Sequence, residues 1–170
     1  MTPADIELTD IIEDLADDGV AIGSLGVEYP GLSDALSGVI SDARQNGFGE
    51  LRFVFLDSPP AVAADQRDVA QDLLIATGAD TVVLRSPAGG AVVSGDHSRA
   101  AIESAQVDLF GNPDLVAGTQ AFVDDLTHST VPWQEINAGV GAAVLVAVLA
   151  TVLALRPRPA RGGRGADGVE

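Results

Sequence analysis

Hydrophobic residues recur at two spacings along the first 130 positions, and the switches between them predict the elements. Leu8, Ile11, Ile12 and Leu15 fall three and four apart, the period of one helix face. Thr2, Pro3 and Asp5 precede them as a capping hydroxyl, a first-turn proline and a first-turn acid, and Gly19 closes the helix. The apolar run from Gly19 to Ile22 reads as a short strand. A second helix carries Leu36, Val39, Ile40 and Ala43, with Ser33 as its cap and Gly47 as its C-terminal glycine. From Leu51 to Asp57 the period drops to two. Leu51, Phe53 and Phe55 point one way, Val54 and Leu56 the other. Both faces are apolar, so this is a central strand covered on both sides.

Asp65 opens a helix through Val69, Leu73, Leu74 and Ala76, closed by Gly78, and a strand follows from Thr81 to Ser86. Strand, helix and strand in about 35 residues predict a right-handed parallel crossover. The glycine-bearing turn at Ser86–Gly90 sends the chain back as an antiparallel strand from Ala91 to Gly95. Ser98 caps a helix to about Phe110, and Gly111 stops it. Asn112, Pro113 and Asp114 begin a last helix with Leu115, Phe122 and Leu126, ending near Ser129. The expected fold class of residues 1–130 is α/β, a small mixed sheet flanked by helices.

The pattern then changes character. Ala138 to Leu155 is 18 residues without a charge. As a helix it spans about 27 Å at 1.5 Å per residue, against a hydrocarbon core about 30 Å thick. Trp133, in a short linker of residues 131–137, stands where an interfacial anchor belongs, and Arg156 and Arg158 end the segment on the other side. The expectation is one C-terminal transmembrane helix at residues 138–155, a basic tail at 156–170, and single-pass residence in the cell membrane. Ala143, Ala147 and Thr151 fall four apart, a spacing that lets two spans pack closely as a homo-oligomer.

Charge narrows the partners. The chain has 25 acidic residues and 9 basic ones, all arginine, with no cysteine. Ahead of the span stand 5 arginines and 23 acids, a balance of −18. That excludes nucleic acid as a direct partner, since phosphate binding needs cations, and it suits a basic protein partner or a divalent cation such as calcium. Without cysteine there is no disulfide and no thiolate metal site. The acidic start, with no basic or long apolar stretch, does not read as a cleavable signal peptide. Four tail arginines place the C-terminus in the cytoplasm and the acidic domain outside. The opposite arrangement, a tail-anchored cytosolic domain, avoids moving 130 residues across the bilayer but carries four arginines over it.

Few residues offer chemistry. Asp57 ends the central strand, where open α/β sheets place ligands. It can bind a cation, or simply fix the turn before Pro59. Asp96 beside His97 offers a second metal-binding carboxylate, or a polar loop ahead of the Ser98 cap. Asp17–Asp18 and Asp124–Asp125 offer oxygens to calcium but lack the alternating spacing of a dedicated loop. His128 is a lone imidazole. The sequence has no phosphate loop, nucleophile elbow or zinc-helix motif. The expected function is therefore a membrane-anchored, non-enzymatic interaction domain that needs no cofactor. The alternatives are a metal-dependent phosphatase-like enzyme using carboxylates near Asp57 and Asp96, and a structural anchor that oligomerises through its span.

Four stretches carry a resemblance: "DLADDGV" at Asp14–Val20, "LRFVFLD" at Leu51–Asp57, "DTVVLRSP" at Asp80–Pro87, and the Pro132–Trp133 pair before a single C-terminal span. Together they resemble a family of small actinobacterial single-pass membrane proteins of uncharacterised function. The order of elements is also similar to the TPM domain, an α/β domain often displayed at membranes. TPM relatives are linked to photosystem repair, receptor assembly and acid phosphatase activity. That resemblance implies a TPM-like fold.

Overall fold

The computed structural model describes residues 8–128. They lie within the compact unit Met1–Ser129. The helix start at Thr2–Asp5, the span at 138–155, Trp133, Arg156, Arg158 and the tail lie outside the described residues. Among the described residues, no helix is long and apolar enough to cross a membrane.

The element order is α1 (Leu8–Asp18), β1 (Val20–Ala21), α2 (Ser24–Glu28), α3 (Leu32–Gln45), β2 (Leu51–Phe55), α4 (Asp65–Thr77), β3 (Thr81–Ser86), β4 (Gly89–Ser94), α5 (Arg99–Gly111) and α6 (Leu115–His128). The strands form one sheet in the order β1-β2-β3-β4. β1, β2 and β3 run parallel, with Val20 opposite Phe53 and Phe53 opposite Val83. β4 returns antiparallel, with Ser86 opposite Gly89 and Thr81 opposite Ser94. The expected mixed α/β sheet flanked by helices is what forms, and the strand–helix–strand unit gives parallel neighbours.

The period-two reading of β2 decides the layers. Leu51 and Phe53 face a core shared with Leu36 and Ile40 of α3, Ile102 and Leu109 of α5, and Phe122 of α6. Val54 and the following Leu56 face the other core, with Leu15 of α1 and Val69 and Leu73 of α4. Phe53, Leu51, Leu84 and Phe122 are fully buried, and each such side chain contributes about 1.5–3 kcal/mol by leaving water.

Three local expectations change. Ser33 is not the cap of α3. The helix begins at Leu32, two residues earlier than a Ser33 cap implies, behind Gly31 (φ 90°), and the Ser33 hydroxyl instead donates to Asp18 Oδ2 at 3.0 Å. Gly111 is the last residue of α5 rather than its stop, and Asn112 caps it in an extended conformation. The five-residue α2 has no counterpart in the sequence reading, because its N-terminal partner comes from 33 residues away. The Ser98 cap forms as expected, accepting from the Ala101 N–H. Asp114 Oδ1 caps α6 by accepting from the N–H groups of Val116 and Ala117, each at 3.0 Å.

Candidate functional site

Asp57 follows β2 at the carboxyl end of the parallel strands. Its carboxylate accepts the Ser24 N–H at 3.1 Å and the Ser24 hydroxyl at 2.8 Å. It thereby fixes the first turn of α2 against the end of β2. Gly23 is the residue that permits this. Its φ is +50°, and a Cβ there would stand 3.0 Å from both Asp57 carboxylate oxygens. Asp57 is thus a latch between two loops.

Asp96 lies at the other end of the sheet. β4 is antiparallel, so its exit meets the start of β3, roughly 15–20 Å of strand away from the exit of β2. The two carboxylates singled out by the sequence do not share a site. Ser94 organises the loop between them and α5: its hydroxyl oxygen accepts the Thr81 hydroxyl at 2.9 Å and the N–H groups of Asp96 and His97, each at 3.2 Å. His97 turns away to stack on Phe48, with ring centroids 4.8 Å apart. Its Nε2 is buried without a partner among the described residues. Among the described residues, no three carboxylates or imidazoles come together where they could hold a metal ion. At the end of α6, His128 Nδ1 lies 2.8 Å from the Asp124 carbonyl oxygen.

The site that the sequence reading did not anticipate lies along β4. The Gly95 N–H donates to the Asp80 carbonyl at 2.9 Å. Antiparallel hydrogen bonds alternate, so Val93, Ala91 and Gly89 are the residues bonded to β3. Gly90, Val92 and Ser94 therefore turn their peptide groups outward, and nothing among the described residues pairs with them. This open edge is the floor of a groove of about 360 Å³. One wall is Ala63, Ala64 and Arg67 at the start of α4, and the other is Arg99, Ile102 and Gln106 of α5. The floor is deep, with Val92 only 2% exposed. His97 lines the groove as well.

Side-chain contacts brace the end of the groove where β4 begins. Arg85 of β3 donates to the carbonyl oxygens of Leu109 at 2.8 Å and Asn112 at 3.2 Å, where α5 ends. Cations are favoured at a helix C-terminus. Burial lowers the Arg85 pKa from its ordinary value, and these carbonyls compensate the charge. The guanidinium also sits over the Phe110 ring at 5.9 Å. Phe110 in turn fills the space above Gly90, where any Cβ would collide with the ring and with the Leu84 carbonyl.

Comparison with known proteins gives a family and a fold. None of the curated proteins matches the chain. The structure resembles the solution NMR structure of the N-terminal domain of the cg2496 protein from Corynebacterium glutamicum. The TM-score is 0.54 at 16% sequence identity, covering 76% of this chain and 87% of that one. Likeness at that identity shows a shared fold. Residues 1–164 match the family described as Membrane protein Rv1476. The chain belongs to the Rv1476 family of membrane proteins.

Proposed function

We propose that this protein is a membrane-anchored, non-enzymatic interaction domain. The apolar segment at 138–155 is its single span, with Trp133 at one interface and Arg156 and Arg158 at the other, and its α/β domain faces outward from the cytoplasm. Membership of a membrane-protein family supports the anchoring. The mixed sheet flanked by helices supports kinship with the TPM fold. The observation that carries the reading is the groove over β4, a recessed strand edge with outward peptide groups held between two helices. A rigid scaffold presenting unpaired main chain is suited to holding a partner segment. Asp57 acts in this reading as a structural latch, and the acidic surface keeps the domain soluble beside the bilayer and repels anionic headgroups.

A photo-crosslinking scan tests it. A photoreactive residue is placed in the full chain at Ala63 or Gln106 in the groove, and at Ser41 or Asp72 elsewhere on the surface. Irradiation in the native membrane is expected to give a discrete adduct from the groove positions. An absence of adducts from every surface position would contradict an interaction role.

A further inference from the structure

The walls of the β4 groove specify its occupant. Five arginines stand among the described residues. Arg44 and Arg52 pair with Glu50, and Arg85 is held by the end of α5. The remaining two, Arg67 and Arg99, stand on opposite walls of the groove. Arg99 is joined to Glu103 at 2.7 Å, whereas Arg67 has no ionic partner among the described residues. Ala63, Ala64, Ala91, Val92 and Ile102 make the lining small and apolar between them, with Ser94, His97, Glu103 and Gln106 as its other polar groups, and Arg67 is the cation whose charge no carboxylate of the lining offsets.

We infer that the groove receives an extended segment of another protein, carrying carboxylate side chains, as a fifth strand beside β4. This rests on the reading of the domain as an interaction module. An extended segment supplies what the floor lacks, because its alternate peptide groups reach the outward N–H and C=O groups of Gly90, Val92 and Ser94. A helix has no free main-chain groups to give. A second copy of this domain is disfavoured, because the edge is recessed between α4 and α5 and two copies would meet helix against helix before their strands met. The −18 balance ahead of the span suits a basic partner for the domain surface at large, and the groove, with Arg67 and Arg99 on its walls, departs from it locally. In a strand paired with β4, successive side chains point to opposite faces. One set meets the wall with Arg67 and the other the wall with Arg99, so both sets have a cation within reach. Arg67, Glu103 and Gln106 form the rim, and such long side chains swing aside readily.

The test uses the full chain in detergent micelles and a fluorescein-labelled hexapeptide, Asp-Val-Thr-Val-Thr-Asp, whose two aspartates point to opposite faces of an extended strand, followed by fluorescence anisotropy. The same peptide is made with lysine at both ends, and with N-methyl groups on either of its two alternate sets of amides. The aspartate peptide is expected to bind more tightly than the lysine one. N-methylation of the set facing β4 removes hydrogen bonds worth about 1 kcal/mol each and weakens binding more than tenfold. N-methylation of the other set leaves it unchanged. Arg67→Gln and Arg99→Gln each weaken the aspartate peptide by about fivefold, the upper range for exposed ion pairs. Equal loss from both methylated sets, tighter binding of the lysine peptide, or no binding of either peptide overturns the inference. Adducts from groove or other positions in the crosslinking scan would still support an interaction role in that case, so the two failures are distinguishable.

Discussion

The two edges of the sheet are built on opposite plans. At β1 the edge is two residues long and sealed. The Phe53 N–H takes the Gly19 carbonyl, so Val20 is the residue whose peptide faces outward, and its N–H donates to Asp18 Oδ1 at 2.9 Å. The other Asp18 oxygen holds Ser33 at the start of α3. At β4 the edge is six residues long, and among the described residues its outward peptide groups have no such partner. An exposed edge invites aggregation, and proteins blunt it with short strands, charges or covering elements. Here one edge is closed by a side chain, while the other is sunk in a groove whose rim carries arginines. Strand edges within one small sheet can thus be assigned different tasks, closure on one side and availability on the other.

That contrast can be broken by substitution, and the largest effect is expected where the open edge is braced. Gly90→Val forces a side chain into the Phe110 ring and the Leu84 carbonyl. It should cost about 3 kcal/mol, the upper range for overpacking, read as a lower urea midpoint. Asp18→Ala removes the seal of the closed edge and the Ser33 contact together. A loss of about 1–2 kcal/mol is expected, with faster hydrogen exchange at Val20. Asp57→Ala releases α2 and should cost about 1 kcal/mol. Exchange should rise at Ser24 and Leu25 but not in β2, and a global loss of protection would mean Asp57 does more than latch a loop. Arg67→Gln at the open edge should change stability by less than about 0.5 kcal/mol, because this exposed cation has no ionic partner among the described residues. A larger loss would show that the groove's cation is needed for the fold.

Most of the scaffold was legible in the sequence because its signals are local. The alternation of Leu51, Phe53 and Phe55 against Val54 and Leu56 correctly divided the two cores. Ser98, Gly78 and the Asn112–Asp114 run marked helix ends, since caps act within a few residues. What was missed depends on distance along the chain. α2 is short and holds Gly26, and its start is fixed by Asp57, so no local pattern announces it. Ser33 has the chemistry of a cap, but Asp18, 15 residues earlier, takes its hydroxyl. Asp80, which accepts the Glu50 N–H at 2.8 Å and leaves no room for a Cβ on Gly49 (φ +101°), drew no notice for the same reason. The groove was the least legible feature. Whether a strand is an edge depends on strand order, and "GGAVVS" reads the same at an edge or in the middle. The two glycines opening β4 were the available hint, since glycine in a strand often marks a close approach of other groups.

The most direct test of the open edge is residue-resolved hydrogen exchange on the full chain in detergent micelles, without added partner. Along β4, Ala91 and Val93 are bonded to β3 and should exchange slowly, while Val92 and Ser94 exchange far faster, giving an alternating profile. Val20 at the sealed edge should be slow. If Val92 and Ser94 are as protected as Val93, the outward groups are already paired, and β4 is not an edge waiting for a partner.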